Sequence, residues 1–66
     1  MKELTKEEDK TLTEYVQSVY TPKDYPFDYM KLLYATKRDF VLYKNFGGTL
    51  KDFMLGLITG RIKCGF

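Results

Sequence analysis

Apolar residues in the first third of the chain recur at helical spacing. Thr5 is followed three residues later by Glu8, a pair typical of a capping box at the start of a helix. Pro22 disfavours helix at the preceding residue. The pattern therefore predicts a first helix over residues 6–20, whose apolar stripe consists of Leu12, Tyr15, Val16, Val19 and Tyr20.

A rigid connector with two prolines leads to the second predicted helix. Residues 21–26 read Thr-Pro-Lys-Asp-Tyr-Pro, and the two prolines restrict the backbone at both ends. Pro26 is favoured in a first helical turn, and Asp28 early in the segment suits the helix dipole. We predict a helix over residues 26–36, with one apolar face formed by Phe27, Met30, Leu33 and Tyr34.

The sequence of the segment after this helix is compatible with two secondary structures. Thr36 and Asp39 resemble a further capping box, which predicts a separate short helix over residues 37–46 that ends at Gly47. Alternatively, residues 40–43 form a strand, with a turn at 45–48 and a short β-hairpin around 40–50. We favour the helix, because no second clear strand is available to pair with the first.

The last predicted helix covers residues 50–59 and is apolar almost all round. Thr49 precedes it and Gly60 is a natural stop. A helix with this composition is buried centrally, or its second face is covered by another subunit, as in a homodimer through residues 50–59. The fold class is thus all-α: one domain over residues 1–66, built as a compact bundle of about four short helices.

Composition and length place the chain in a broad class. Its 66 residues are 44% hydrophobic and 30% charged, with a net charge of +2. These values are typical of one small folded domain, and no apolar run is long enough to cross a bilayer. The N-terminal residues lack a signal-like apolar segment. We expect a cytoplasmic protein that does not insert into membranes, with Cys64 unable to form an internal disulfide.

The residues needed for catalysis or metal binding do not converge in this sequence. It contains no histidine, and Ser18 is the only serine. Glu7, Glu8 and Asp9 fall in a first helical turn, where carboxylates stabilise the helix N-terminus. We therefore predict a protein that is not an enzyme, with no catalytic residues, no cofactor and no metal.

Aromatic residues are the most informative part of the composition. The chain has six tyrosines and five phenylalanines, more than a core of this size requires. Helical spacing assigns Tyr15, Phe27, Tyr34, Phe40 and Phe53 to the core. The tyrosines at helix ends, in the connector or off the stripe are assigned to the surface, and they are Tyr20, Tyr25, Tyr29 and Tyr43.

Exposed tyrosines beside lysines predict a partner-binding surface. Tyrosine offers a large contact area with few rotatable bonds, which suits protein recognition. Our leading hypothesis is a small regulator or inhibitor that docks on a larger protein, of the kind found among phage and mobile-element accessory proteins. The predicted partner-binding residues are Tyr20, Lys23, Tyr25, Tyr29, Lys37, Arg38 and Tyr43. The alternative is nucleic-acid binding, in which tyrosines stack on bases and basic side chains contact phosphates. The residues of that surface are Tyr25, Tyr29, Tyr34 and Tyr43 with Lys23, Lys31, Lys37, Arg38 and Lys44.

Overall fold

Three α-helices form the part of the chain that the structure, a computed structural model, describes, which is residues 3–63. Helix α1 spans Lys6–Val19, α2 spans Pro26–Asn45 and α3 spans Leu50–Thr59. The all-α prediction is confirmed, and within the described residues there is no strand, so the alternative β-hairpin around 40–50 is wrong. Predictions about Cys64 lie outside the described residues.

The prediction of two separate helices over 26–36 and 37–46 is wrong, because α2 is continuous across this junction. Neither proline nor glycine interrupts the segment. Thr36 is fully buried within the helix rather than positioned as a cap. A Thr or Ser caps a helix only where its own backbone is non-helical. The backbone at Thr36 is helical, so the pair Thr36 and Asp39 does not act as a capping box. The result is one helix of 20 residues, about 30 Å long.

Helix α1 begins with the predicted capping box. The Thr5 hydroxyl accepts a hydrogen bond from the Glu8 amide at 3.1 Å, and the Glu8 carboxylate accepts one from the Thr5 amide at 2.9 Å. After α1, the Thr21 carbonyl accepts hydrogen bonds from the amides of Asp24 and Tyr25, which closes a compact turn. This turn reverses the chain so that α2 packs back along α1.

A tight turn joins α2 to α3 through two glycines. Gly47 has a φ of 92°, a conformation that glycine adopts without strain. At Gly48 a side chain would overlap the ring of Tyr43, so the backbone passes directly against that ring. The Thr49 hydroxyl then accepts a hydrogen bond from the Asp52 amide, which caps α3. Together these features return the chain onto α2.

The core lies where α2 packs against both other helices. Its buried apolar residues are Leu12, Val16, Leu32, Ala35, Phe40 and Phe53. The rings of Phe40 and Phe53 have centroids 5.2 Å apart, and those of Tyr43 and Phe53 are 5.5 Å apart, both in tilted arrangements that favour aromatic pairs. Helix α2 thus supplies the centre of the bundle.

Helix α3 is only partly buried, although its sequence is apolar almost all round. Phe53 and Gly56 are buried, whereas the side chains of Leu55 and Ile58 are exposed. One face of α3 therefore completes the core. The exposed face contains these two large apolar side chains, and a homodimer through residues 50–59 stays a prediction.

Two ion pairs fasten α1 to α2. Lys44 lies 2.5 Å from the Glu8 carboxylate and also donates a hydrogen bond to the Glu3 carbonyl at 2.6 Å. Lys37 pairs with Asp9 about two turns of α2 earlier. The Lys44 hydrogen bond, supported by the Thr5 amide, lowers the pKa of Glu8. These lysines therefore hold the helices together.

Among the helices of residues 3–63, none is both long and apolar enough to cross a bilayer.

Candidate functional site

The outward face of α2 carries three large apolar side chains that are mostly exposed. Phe27 is 89% exposed, Tyr34 69% and Met30 61%. They lie at positions i, i+3 and i+7 of the helix, so they form one continuous ridge. We call Phe27, Met30 and Tyr34 the outer α2 stripe. Val41, one further heptad along, is half-buried on the same side.

The stripe exists because α2 is apolar on two opposite faces. One face turns towards the core and carries Leu32, Ala35, Thr36 and Phe40. The other carries the outer α2 stripe. Assignment of Phe27 and Tyr34 to the core is therefore wrong: they follow a regular helical spacing, but the competing face packs inward. The assignments of Phe40 and Phe53 to the core are confirmed.

The structure does not gather the predicted tyrosines into one exposed surface. Three of them, Tyr20, Tyr29 and Tyr43, are partly buried and pack against the core cluster, so each presents only part of its ring to the surface. Each packs against the core from a helix end or from a position beside the buried stripe. Helical spacing alone does not predict such contacts. Tyr25 is 52% exposed, and its ring lies 5.7 Å from that of Tyr20.

The predicted basic residues are also divided between different surroundings. Lys37 points towards α1 and pairs with Asp9, whereas Lys23 is exposed in the connector. Arg38 extends over the ring of Tyr34, with its guanidinium carbon 5.8 Å from the ring centroid. Its Nε also donates a hydrogen bond to Asp39 at 3.3 Å. Of the predicted basic residues, Arg38 is therefore the one that adjoins the outer α2 stripe.

The candidate site consequently differs from the predicted one. It combines the outer α2 stripe with Arg38 and with Lys31, which is exposed and lies four residues after Phe27 on the same side of the helix. Phe27 and Met30 were not predicted as site residues, whereas Lys31 and Tyr34 belong to the tyrosine and lysine surface of the nucleic-acid alternative. The signal that indicates them is the presence of two helical stripes in one segment, of which only one can face the core of so small a bundle.

The clefts and acidic groups of the described residues do not form a site with a recognisable catalytic or metal-binding arrangement. Two open clefts of about 460 and 400 Å³ flank α3. The second is lined by Tyr15, Leu32 and Leu57, together with Thr36, whose hydroxyl is buried without a hydrogen-bond partner. Among residues 3–63, no three His, Cys, Asp or Glu side chains gather as they would to hold a metal ion.

Comparisons with protein-family models, with curated proteins and with solved structures each found no match for this chain.

Proposed function

We propose that this protein is a small non-enzymatic binding protein that regulates or inhibits a larger protein by docking through the outer α2 stripe. The exposure of Phe27, Met30 and Tyr34 along one helix face carries this proposal. Isolated apolar side chains are ordinary on protein surfaces, but a contiguous apolar ridge marks an interaction site. Aromatic residues and methionine are also enriched at protein interfaces.

The stripe is presented by a rigid support. Helix α2 starts at Pro26 and runs without interruption to Asn45, and its opposite face is anchored in the core. Side chains held in this way lose little backbone freedom on binding, so more of their contact energy appears as affinity. Arg38 covers part of Tyr34 and adds a charged group at the edge. A central aromatic residue beside arginine is typical of binding hot spots.

Affinity capture from a lysate of the source cells tests this function. The wild-type protein is expected to recover one stoichiometric partner, and the double variant Phe27→Ala with Tyr34→Ala is expected to lose it. Both side chains are largely exposed, so the free energy of unfolding should change by no more than about 1 kcal/mol in the double variant. Circular dichroism and thermal unfolding check that the fold is retained.

Phe46 offers a matched control for this experiment. It is 90% exposed, like Phe27, but it follows the end of α2 and lies off the stripe. Phe46→Ala should therefore retain the partner. Docking through the outer α2 stripe is wrong if the double variant still recovers the partner. It is also wrong if Phe46→Ala loses the partner to the same extent.

Binding of single-stranded nucleic acid is the second candidate function. The observation that favours it is Arg38 over the Tyr34 ring with Lys31 exposed on the same side, since exposed rings stack on bases while cations contact phosphates. It predicts binding to oligonucleotides that weakens steeply with salt and on Lys31→Ala with Arg38→Ala. Failure to bind at low salt would eliminate it.

A further inference from the structure

The shape of the outer α2 stripe indicates the kind of surface that covers it. Its members lie at i, i+3 and i+7 on one continuous helix, the spacing with which one helix packs along another. In heptad notation Phe27 and Tyr34 occupy a positions and Met30 a d position. A partner helix laid along α2 places its own apolar side chains between these three, whereas a flat surface would contact only their tips.

Two cations lie beside the stripe, and one of them forms no ion pair among the described residues. Lys31 and Arg38 both occupy e positions next to it. The carboxylates of α2 lie elsewhere: Asp28 is four residues before the buried Leu32, and Asp39 is four residues after the buried Ala35. Asp39 accepts a hydrogen bond from the Arg38 Nε and balances part of the Arg38 charge. Lys31 forms no ion pair among the described residues, although Asp28 precedes it by three residues. The e positions therefore carry one unpaired cation, Lys31, and one partly balanced cation, Arg38.

A second copy of this chain does not balance that charge. In an antiparallel pair of α2 helices the e positions face each other, so Lys31 of one copy would lie beside Arg38 of the other. In a parallel pair the e positions face g positions, which are occupied by Pro26 and Leu33. Neither orientation supplies a carboxylate. Self-pairing through this face is thus disfavoured, and a partner with acidic flanks is complementary.

We propose that the outer α2 stripe binds an amphipathic helix of the partner whose apolar face is flanked by Asp or Glu. This inference rests on the proposed function and adds the chemistry of the partner. The apolar side chains of that helix cover Phe27, Met30 and Tyr34, and its carboxylates pair with Lys31 and Arg38. Such charges also steer the encounter and reject basic helices.

A pair of synthetic peptides tests the inference directly. The first has three heptads with Leu at a and d and Glu at e and g, so that its like charges oppose self-pairing. The second is identical except for Lys in place of Glu. Each is titrated into the isotope-labelled protein, and amide shifts in two-dimensional NMR spectra report the site and the affinity. We expect the Glu peptide to shift residues 27–38 and to bind at least about tenfold more tightly, an advantage that added salt reduces.

The second part of the experiment reverses the charges on the protein. Lys31→Glu with Arg38→Glu is expected to reverse the preference, so that the Lys peptide binds more tightly, while the helical content stays unchanged. Equal binding of both peptides would overturn the acidic-helix inference but leave apolar docking intact. Failure of the peptides to shift residues 27–38 would also overturn it, and the lysate capture then decides the proposed function separately. Displacement of the Glu peptide by a thymidine 15-mer would favour nucleic acid instead.

Discussion

At the scale of single residues, Thr36 is a buried polar residue whose hydroxyl affects the stability of the fold. Its side chain is fully buried in α2, and its hydroxyl has no hydrogen-bond partner. A buried hydroxyl without a partner costs stability, whereas a methyl group of the same size does not. Thr36→Val should therefore raise the free energy of unfolding by about 1 kcal/mol, as measured by urea denaturation.

Thr13 provides the matched control for this substitution. It also lies within a helix, but its hydroxyl donates a hydrogen bond to the Asp9 carbonyl at 2.8 Å. Thr13→Val removes that bond, so it should give no comparable gain. A Thr36→Val variant that is less stable than the wild type would show that the hydroxyl has a partner in solution.

At the scale of the helices, most element ends could be predicted from the sequence because they depend on local chemistry. Thr5 with Glu8, Pro26, Thr49 and Gly60 all mark real helix termini. The predicted break after Thr36 failed for a different reason. Its capping pattern is local, but burial of Thr36 between neighbouring helices is a tertiary effect that keeps the helix continuous.

The buried face of α2 was not predictable from periodicity alone. Two stripes satisfy the helical period, and the choice between them depends on which one complements α1 and α3. Phe40 meets Phe53 across the α2–α3 contact, which selects its stripe for the core. Phe27 and Tyr34 are consequently turned outward. Because periodicity did not distinguish the two stripes, it assigned these two rings to the core and did not predict the candidate site.

Helix α3 contains a glycine whose role is packing rather than flexibility. A methyl group on Gly56 would lie 2.5 Å from Cδ1 and 2.7 Å from Cγ1 of Ile62, closer than real contacts allow. Alanine favours a helix by about 1 kcal/mol over glycine, but overpacking costs about 1–3 kcal/mol. Gly56→Ala should therefore destabilise the protein, by about 1 kcal/mol in chemical denaturation.

A double-mutant cycle separates the two effects at this position. In an Ile62→Ala background the obstructing side chain is absent, so the added methyl should be neutral or stabilising. The sign of the Gly56→Ala effect thus reverses between the two backgrounds. The same loss of stability in both would mean that contact with Ile62 is not its cause.

At the scale of the whole molecule, Lys44 connects parts of the chain that are far apart in sequence. From near the end of α2 it reaches the Glu8 carboxylate and the Glu3 carbonyl, at the start of α1. Both side chains of the ion pair are mostly shielded from solvent, so salt screens it less than an open surface pair. The cluster closes the end of the bundle at which α1 begins and α2 finishes.

The lowered pKa of Glu8 makes this closure dependent on pH. Because folding lowers the pKa, the stabilisation is present above the unfolded value of about 4.3 and is lost as the pH falls through the lower folded value. Lys44→Met should reduce the free energy of unfolding by about 1 kcal/mol at pH 7. The difference from the wild type should shrink as the pH falls below about 4.

Two further variants identify the source of that pH dependence. Glu8→Gln keeps groups that can bond to Thr5 but cannot titrate, so its stability should fall less steeply with acid than that of the wild type. Lys51 is exposed on α3, so Lys51→Met should leave the profile unchanged. Urea denaturation from pH 7 to pH 2.5 makes the comparison. A wild-type profile that runs parallel to that of Lys44→Met throughout would mean that Lys44 acts through the Glu3 carbonyl and through packing rather than through the charge of Glu8.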